Sequence, residues 1–126
     1  MKTVLKGVAI AATALTAGLA QADIKGTWQT EPSDGVSLDV QIESCGKALC
    51  GHVVGVNGGG DAALIGTQII KEMTGSAADG YAGGKIFAPD TGKWYRSKIS
   101  HSGRNISVSG CVAGGLICRS QIWTAR

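Results

Sequence analysis

Val36-Ser37-Leu38-Asp39-Val40-Gln41-Ile42-Glu43 alternates apolar and polar side chains without a break. Successive side chains of an extended strand point to opposite faces, so this period of two describes a strand with one face in a core and the other in water. Ile106, Val108 and Gly110 alternate with Ser107 and Ser109 in the same way. Further strand candidates are Gly26–Thr30, Leu49–Val56, Tyr81–Ala88, Lys93–Ser100 and Ile117–Thr124. Turn formers separate them, such as Pro32-Ser33-Asp34-Gly35, Asp90-Thr91-Gly92 and Ser102-Gly103. Short strands at nearly regular spacing predict an all-β chain: a small antiparallel up-and-down barrel of about eight strands. Ala62–Met73 fits a short helix as well as a strand, and the glycine-rich stretches Asn57–Gly60 and Gly75–Gly84 are expected to be mobile loops.

Ahead of this pattern lies a segment of a different kind. Lys2 and Lys6 are followed by the uncharged apolar run Val8–Leu19 and by Ala20-Gln21-Ala22, the order of parts in a cleavable secretion signal. The alternative, a buried Ala-rich helix, does not require those parts to occur together. The run is too short for a membrane span, and no other segment is apolar enough for one. Residues 1–22 are therefore expected to be removed, leaving 23–126 as a single barrel domain in the periplasm. Without Lys2 and Lys6 the remainder carries ten basic and nine acidic residues, so the net charge falls from +3 to +1. That balance does not suggest the concentrated positive face that nucleic-acid binding needs.

Cys45, Cys50, Cys111 and Cys118 all lie behind the signal, and an exported chain meets oxidising conditions. Three pairings are possible. Each short spacing can close across a hairpin, which favours Cys45–Cys50 and Cys111–Cys118. A thiolate metal site is the competing reading. Neither gap has zinc-motif spacing, and neither His52 nor His101 completes a pattern, so no metal and no cofactor are expected.

Gly26-Thr27-Trp28 looks like the G-x-W start of lipocalins, in which the Trp closes one end of a barrel. Cys45-Gly46 with Leu49-Cys50-Gly51 comes next, followed by Gly84-x-Ile86-x-x-Pro89-Asp90-x-Gly92-Lys93-x-Tyr95, Val108-x-Gly110 and Gln121-x-Trp123. Together these motifs resemble a family of small secreted bacterial proteins catalogued as a domain of unknown function, DUF2147. The resemblance covers almost all of the chain behind the signal and implies a lipocalin-like barrel, with no established reaction. The long glycine-rich stretch before Tyr81 departs from the pattern.

The cysteines also assign faces. If Ile106, Val108 and Gly110 face the core, Cys111 points outward, and so must its cross-strand partner Cys118. Arg119, Gln121 and Trp123 then face inward, with Gly110 opposite Arg119 and Val108 opposite Gln121. Arg96 and Lys98 are costly to bury, which leaves Tyr95, Ser97 and Ile99 inside. The expected interior is mixed: Tyr95, Arg119 and Gln121 among Trp28, Ile106, Val108 and Trp123. Two explanations are open. Arg119 and Gln121 satisfy each other, or Arg119 closes the barrel by stacking on Trp28; alternatively Trp28, Tyr95, Arg119, Gln121 and Trp123 line a shallow site for a small amphipathic or lipidic molecule with a polar or anionic head. A filled barrel acting as a structural or interaction component of the cell envelope is the other function class.

Catalytic patterns are absent from the sequence. G-x-S-x-G and H-E-x-x-H do not occur. Asp39 and Glu43 share an outer face, and His52 points outward with Cys50. Gly58-x-Gly60-x-x-Ala63 matches a loose dinucleotide fingerprint, but the chain is too short and too antiparallel for the fold that motif requires. A non-enzymatic protein is the expectation.

Overall fold

The computed structural model describes residues 23–126. The secretion signal expected over residues 1–22 lies outside them. Eight antiparallel strands run in chain order and close into a barrel: β1 (Gly26–Gln29), β2 (Ser37–Cys45), β3 (Ala48–Asn57), β4 (Gln68–Ser76), β5 (Gly80–Ala88), β6 (Lys93–Ser102), β7 (Asn105–Val112) and β8 (Ile117–Ala125). Every neighbour in sequence is a neighbour in the sheet, so each connection is a hairpin or a short loop.

The alternation read in residues 36–43 becomes the inner and outer faces of β2. Val40 and Ile42 are buried inside, while Gln41 and Glu43 are exposed outside. Ile24, Val40, Ile42, Val53, Ile70, Met73, Ile99, Ile106 and Trp123, each at most 2% exposed, fill the barrel toward the end where the chain enters. Ile24 plugs that end, and its carbonyl accepts a hydrogen bond from the Trp28 indole at 2.9 Å. An apolar interior under a polar exterior is the reverse of an outer-membrane barrel. No helix among the described residues is long and apolar enough to cross a membrane.

Both disulfides clip hairpins. Cys45–Cys50 ties β2 to β3, and Cys111–Cys118 ties β7 to β8. Cys111 stands opposite Cys118, which sets Gly110 opposite Arg119, Val108 opposite Gln121 and Ile106 opposite Trp123.

One local expectation is corrected and one ambiguity is resolved. Gly75–Gly84 is not a loop: residues 75 and 76 end β4, 80 to 84 begin β5, a tight turn joins them, and the pairing of β5 with β6 shifts register between Tyr81 and Gly84. Glycines serve close backbone approach there, since a Cβ on Gly84 would lie 2.6 Å from the Lys71 carbonyl oxygen and 2.8 Å from Met73 Cα. Ala62–Met73, ambiguous in sequence, divides. Ala62–Leu64 forms one turn of 3-10 helix, capped by Asp61 Oδ1 accepting from the Ala63 amide at 2.9 Å, and β4 follows.

Candidate functional site

The barrel is closed unevenly. β1 is four residues long and pairs with β8 only through Trp28 with Ala125 and Gln29 with Thr124. Beyond Thr124 the flank of β8 faces the β1–β2 loop instead of a strand. There Glu31 Oε1 accepts from the Ile122 amide at 2.9 Å. The end of the barrel opposite the chain entry therefore opens beside β8.

Level by level, the inner wall of β6, β7 and β8 changes character toward this mouth. The row His101–Ile106–Trp123 is floor, with Ile106 and Trp123 buried. Next come Ile99 and Val108, both buried, with Gln121 exposed at the end of the row. Gln121 Oε1 accepts from the Trp123 indole at 3.0 Å, so the floor holds the amide in place. Above that, Ser97, Gly110 and Arg119 stand side by side. Gly110 has no side chain, so this row is a shallow slot, bounded by Ile86, whose Cγ2 lies 3.4 Å from where a Cβ would stand, and flanked by a hydroxyl and a guanidinium two strands apart, about 10 Å at sheet spacing. Tyr95, half-buried, stands one step further out, and its hydroxyl hydrogen-bonds Thr91 Oγ1 at 3.1 Å. Val112 and Ile117, paired across the β7–β8 hairpin, complete the rim at 46% and 62% exposure.

Ser97 gives the slot its chemistry. It is 2% exposed, and its Oγ is the one buried side-chain polar atom among the described residues with no hydrogen-bond partner. A buried hydroxyl without a partner is costly, and natural proteins keep few of them. Arg119 is unpaired as well: the ion pairs among the described residues are Lys25–Asp23 and Arg126–Asp39.

Of the five residues expected at the site, the structure gathers three at the mouth. Arg119 and Gln121 take the inward register, but the expectation that they sit inside the barrel is corrected: both are exposed, because β1 does not extend far enough to cover them. Trp123 lies beneath them as floor, and Tyr95 joins them at the rim. Trp28 does not belong to this group. It pairs with Ala125, about 20 Å along β8 from Arg119. Arg119 therefore does not stack on Trp28, whose ring instead meets His101 edge-on at 6.1 Å. Ser97 was readable as inward-facing, but nothing in the sequence signals that its hydroxyl is left without a partner.

The two histidines lie on opposite faces, His52 outside on β3 and His101 inside beside Trp28. No group of three or more His, Cys, Asp or Glu among the described residues could hold a metal ion. A cleft of about 470 Å³ at the chain-entry end lies between the ends of β2, β3, β4 and β5 and their two turns, with Asp23 beside the buried Tyr81. Burial raises the Tyr81 phenol pKa and the Asp23 charge adds to the rise, against a backbone hydrogen bond from Ile24.

Residues 26–125 match the model of a family described as "Uncharacterized protein conserved in bacteria (DUF2147)". The chain belongs to this family. For this DUF2147 member, no curated protein gives a match. Among solved structures it is similar to one titled "Protein HP1028 from the human pathogen Helicobacter pylori belongs to the lipocalin family". The TM-score is 0.70 at 14% identity, over 82% of each chain. At that identity the likeness establishes the lipocalin-like barrel and nothing about the ligand.

Proposed function

We propose that this DUF2147 protein is an exported, periplasmic binding protein whose barrel mouth takes a small amphipathic molecule with an anionic head. The observation that carries the reading is the row Ser97–Gly110–Arg119, an unpartnered buried hydroxyl and an unpaired guanidinium across a position with no side chain. An anionic head set between them would accept from both. A short apolar portion would rest on Ile86, Tyr95, Val112 and Ile117, while the packed floor excludes a long chain from the lumen. Export is supported by the order of Lys2, Lys6, the apolar run and Ala20-Gln21-Ala22, and by two disulfides that suit an oxidising compartment.

The filled lower barrel supports a second reading, an interaction component of the envelope with no small ligand, because small barrels are commonly packed solid. Calorimetric titration with decyl phosphate, and with decyl maltoside as the uncharged control, separates the two. The binding reading expects decyl phosphate to bind and Arg119→Met to weaken it about 10- to 100-fold, the worth of one charge-assisted hydrogen bond. No heat with either amphiphile, or equal binding by Arg119→Met, favours the second reading.

A further inference from the structure

The near-neutral charge balance conceals a separation. Lys71 on β4 stands directly opposite Lys85 on β5, and Lys85 directly opposite Arg96 on β6, all on the outer wall, with Lys98 two residues along from Arg96. Like charges directly opposed across a sheet are destabilising. None of these four cations forms an ion pair, Glu72 beside Lys71 included, since the ion pairs among the described residues lie elsewhere. Asp39 and Glu43 occupy the outer face of β2, half-way round the barrel from β6. The sequence expectation of no concentrated positive face is thus corrected locally: closing the barrel gathers cations from three separate strands.

Lys85, Arg96 and Lys98 border a groove of about 520 Å³ that runs from Ala82–Gly84 to Gly115 at the tip of the β7–β8 hairpin. Arg96 Nη1 donates to the Gly114 carbonyl at 3.4 Å, which joins the charged wall to that tip. Leu116, on the tip, is 87% exposed, the most exposed large apolar residue among the described residues, and the Cys111–Cys118 disulfide braces the hairpin at its base. An unshielded leucine projecting beside cations that form no ion pair has both parts of an interfacial anchor: apolar surface for the acyl boundary, and positive charge for anionic headgroups.

We propose that the outer wall of β5 and β6, with the β7–β8 tip, docks this protein on an anionic phospholipid bilayer, Leu116 entering the interface and Lys85, Arg96 and Lys98 meeting lipid phosphates. A soluble anion would use the cations and have no use for a projecting leucine; the bilayer uses both. Ser97 of the mouth row also borders this groove, but none of these four side chains belongs to the mouth, so substituting them tests the proposal separately from the ligand reading.

The test is co-sedimentation of the protein, expressed from its full-length sequence, with vesicles of equimolar phosphatidylglycerol and phosphatidylcholine, and with phosphatidylcholine vesicles alone. All four positions are exposed, and unchanged thermal transitions will verify that each variant folds. The expected result is salt-sensitive binding to the anionic vesicles only, reduced on the order of a hundredfold by Lys85→Gln/Arg96→Gln/Lys98→Gln, about fivefold per cation. Leu116→Ser should reduce it about tenfold or more, as expected for a leucine withdrawn from the interface. Absence of binding, equal binding to neutral vesicles, or indifference to the charge substitutions overturns the proposal. So does binding that Leu116→Ser leaves unchanged and soluble polyphosphate displaces, which would mark a site for a dissolved anion.

Discussion

Ser97→Ala should make the ligand-free protein more stable. The substitution keeps the Cβ and removes an Oγ that is buried without a partner. An unmade hydrogen bond at a buried polar atom costs about 1–3 kcal/mol. The void left by one oxygen returns part of that gain, so a net stabilisation of about 1 kcal/mol is expected. For a domain of this size, 1 kcal/mol corresponds to roughly 4–8 °C in Tm. Urea unfolding followed by tryptophan fluorescence, with calorimetry on delipidated protein, measures both quantities. With an anionic amphiphile bound the advantage should shrink or reverse, because the hydroxyl then has an acceptor to donate to. A Ser97→Ala protein less stable than the parent in the ligand-free state would refute the reasoning, since the hydroxyl would then be satisfied within the fold.

Alanine at two glycines should behave differently. At Gly84 the new Cβ meets backbone 2.6 Å away, and overpacking of that kind should cost about 1–3 kcal/mol in unfolding experiments; at Gly110 its nearest contact is Ile86 Cγ2 at 3.4 Å, so stability should barely change while amphiphile binding falls. Raised in the folded state, the Tyr81 pKa makes the folded chain hold its proton longer than the unfolded one. Its contribution is complete below the unfolded value near 10 and is lost as pH rises through the folded value, so stability should decline in that alkaline window and Tyr81→Phe should flatten the decline. Intact-mass measurement of the exported protein should place its N-terminus at or near Asp23; retention of Met1 would contradict the signal reading.

The β-strands and the hairpin registers were legible because both follow from local rules. A period of two marks a half-buried strand, and an outward Cys111 bonded to Cys118 fixes which residues of β8 turn inward. Exposure of Arg119 was not legible, because it depends on how far β1 extends, and β1 ends at Gln29, ninety residues away in sequence. The Gly75–Gly84 hairpin was misread for a related reason. Glycine composition suggests a loop, whereas Gly84 is required by the approach of β4, which composition does not register. Lys71, Lys85, Arg96 and Lys98 are scattered along the chain among acidic residues, and only the pairing of β4, β5 and β6 brings them into one row. The slot at Gly110 needed two registers at once, β6 with β7 and β7 with β8.

Native mass spectrometry of the gently purified protein tests the central claim most directly. A barrel mouth built around Ser97, Gly110 and Arg119 predicts a co-purifying small anionic amphiphile at one per chain, retained by the parent and lost or strongly reduced in Arg119→Met. A parent protein that carries no small molecule and acquires none from a mixture of anionic amphiphiles would contradict it.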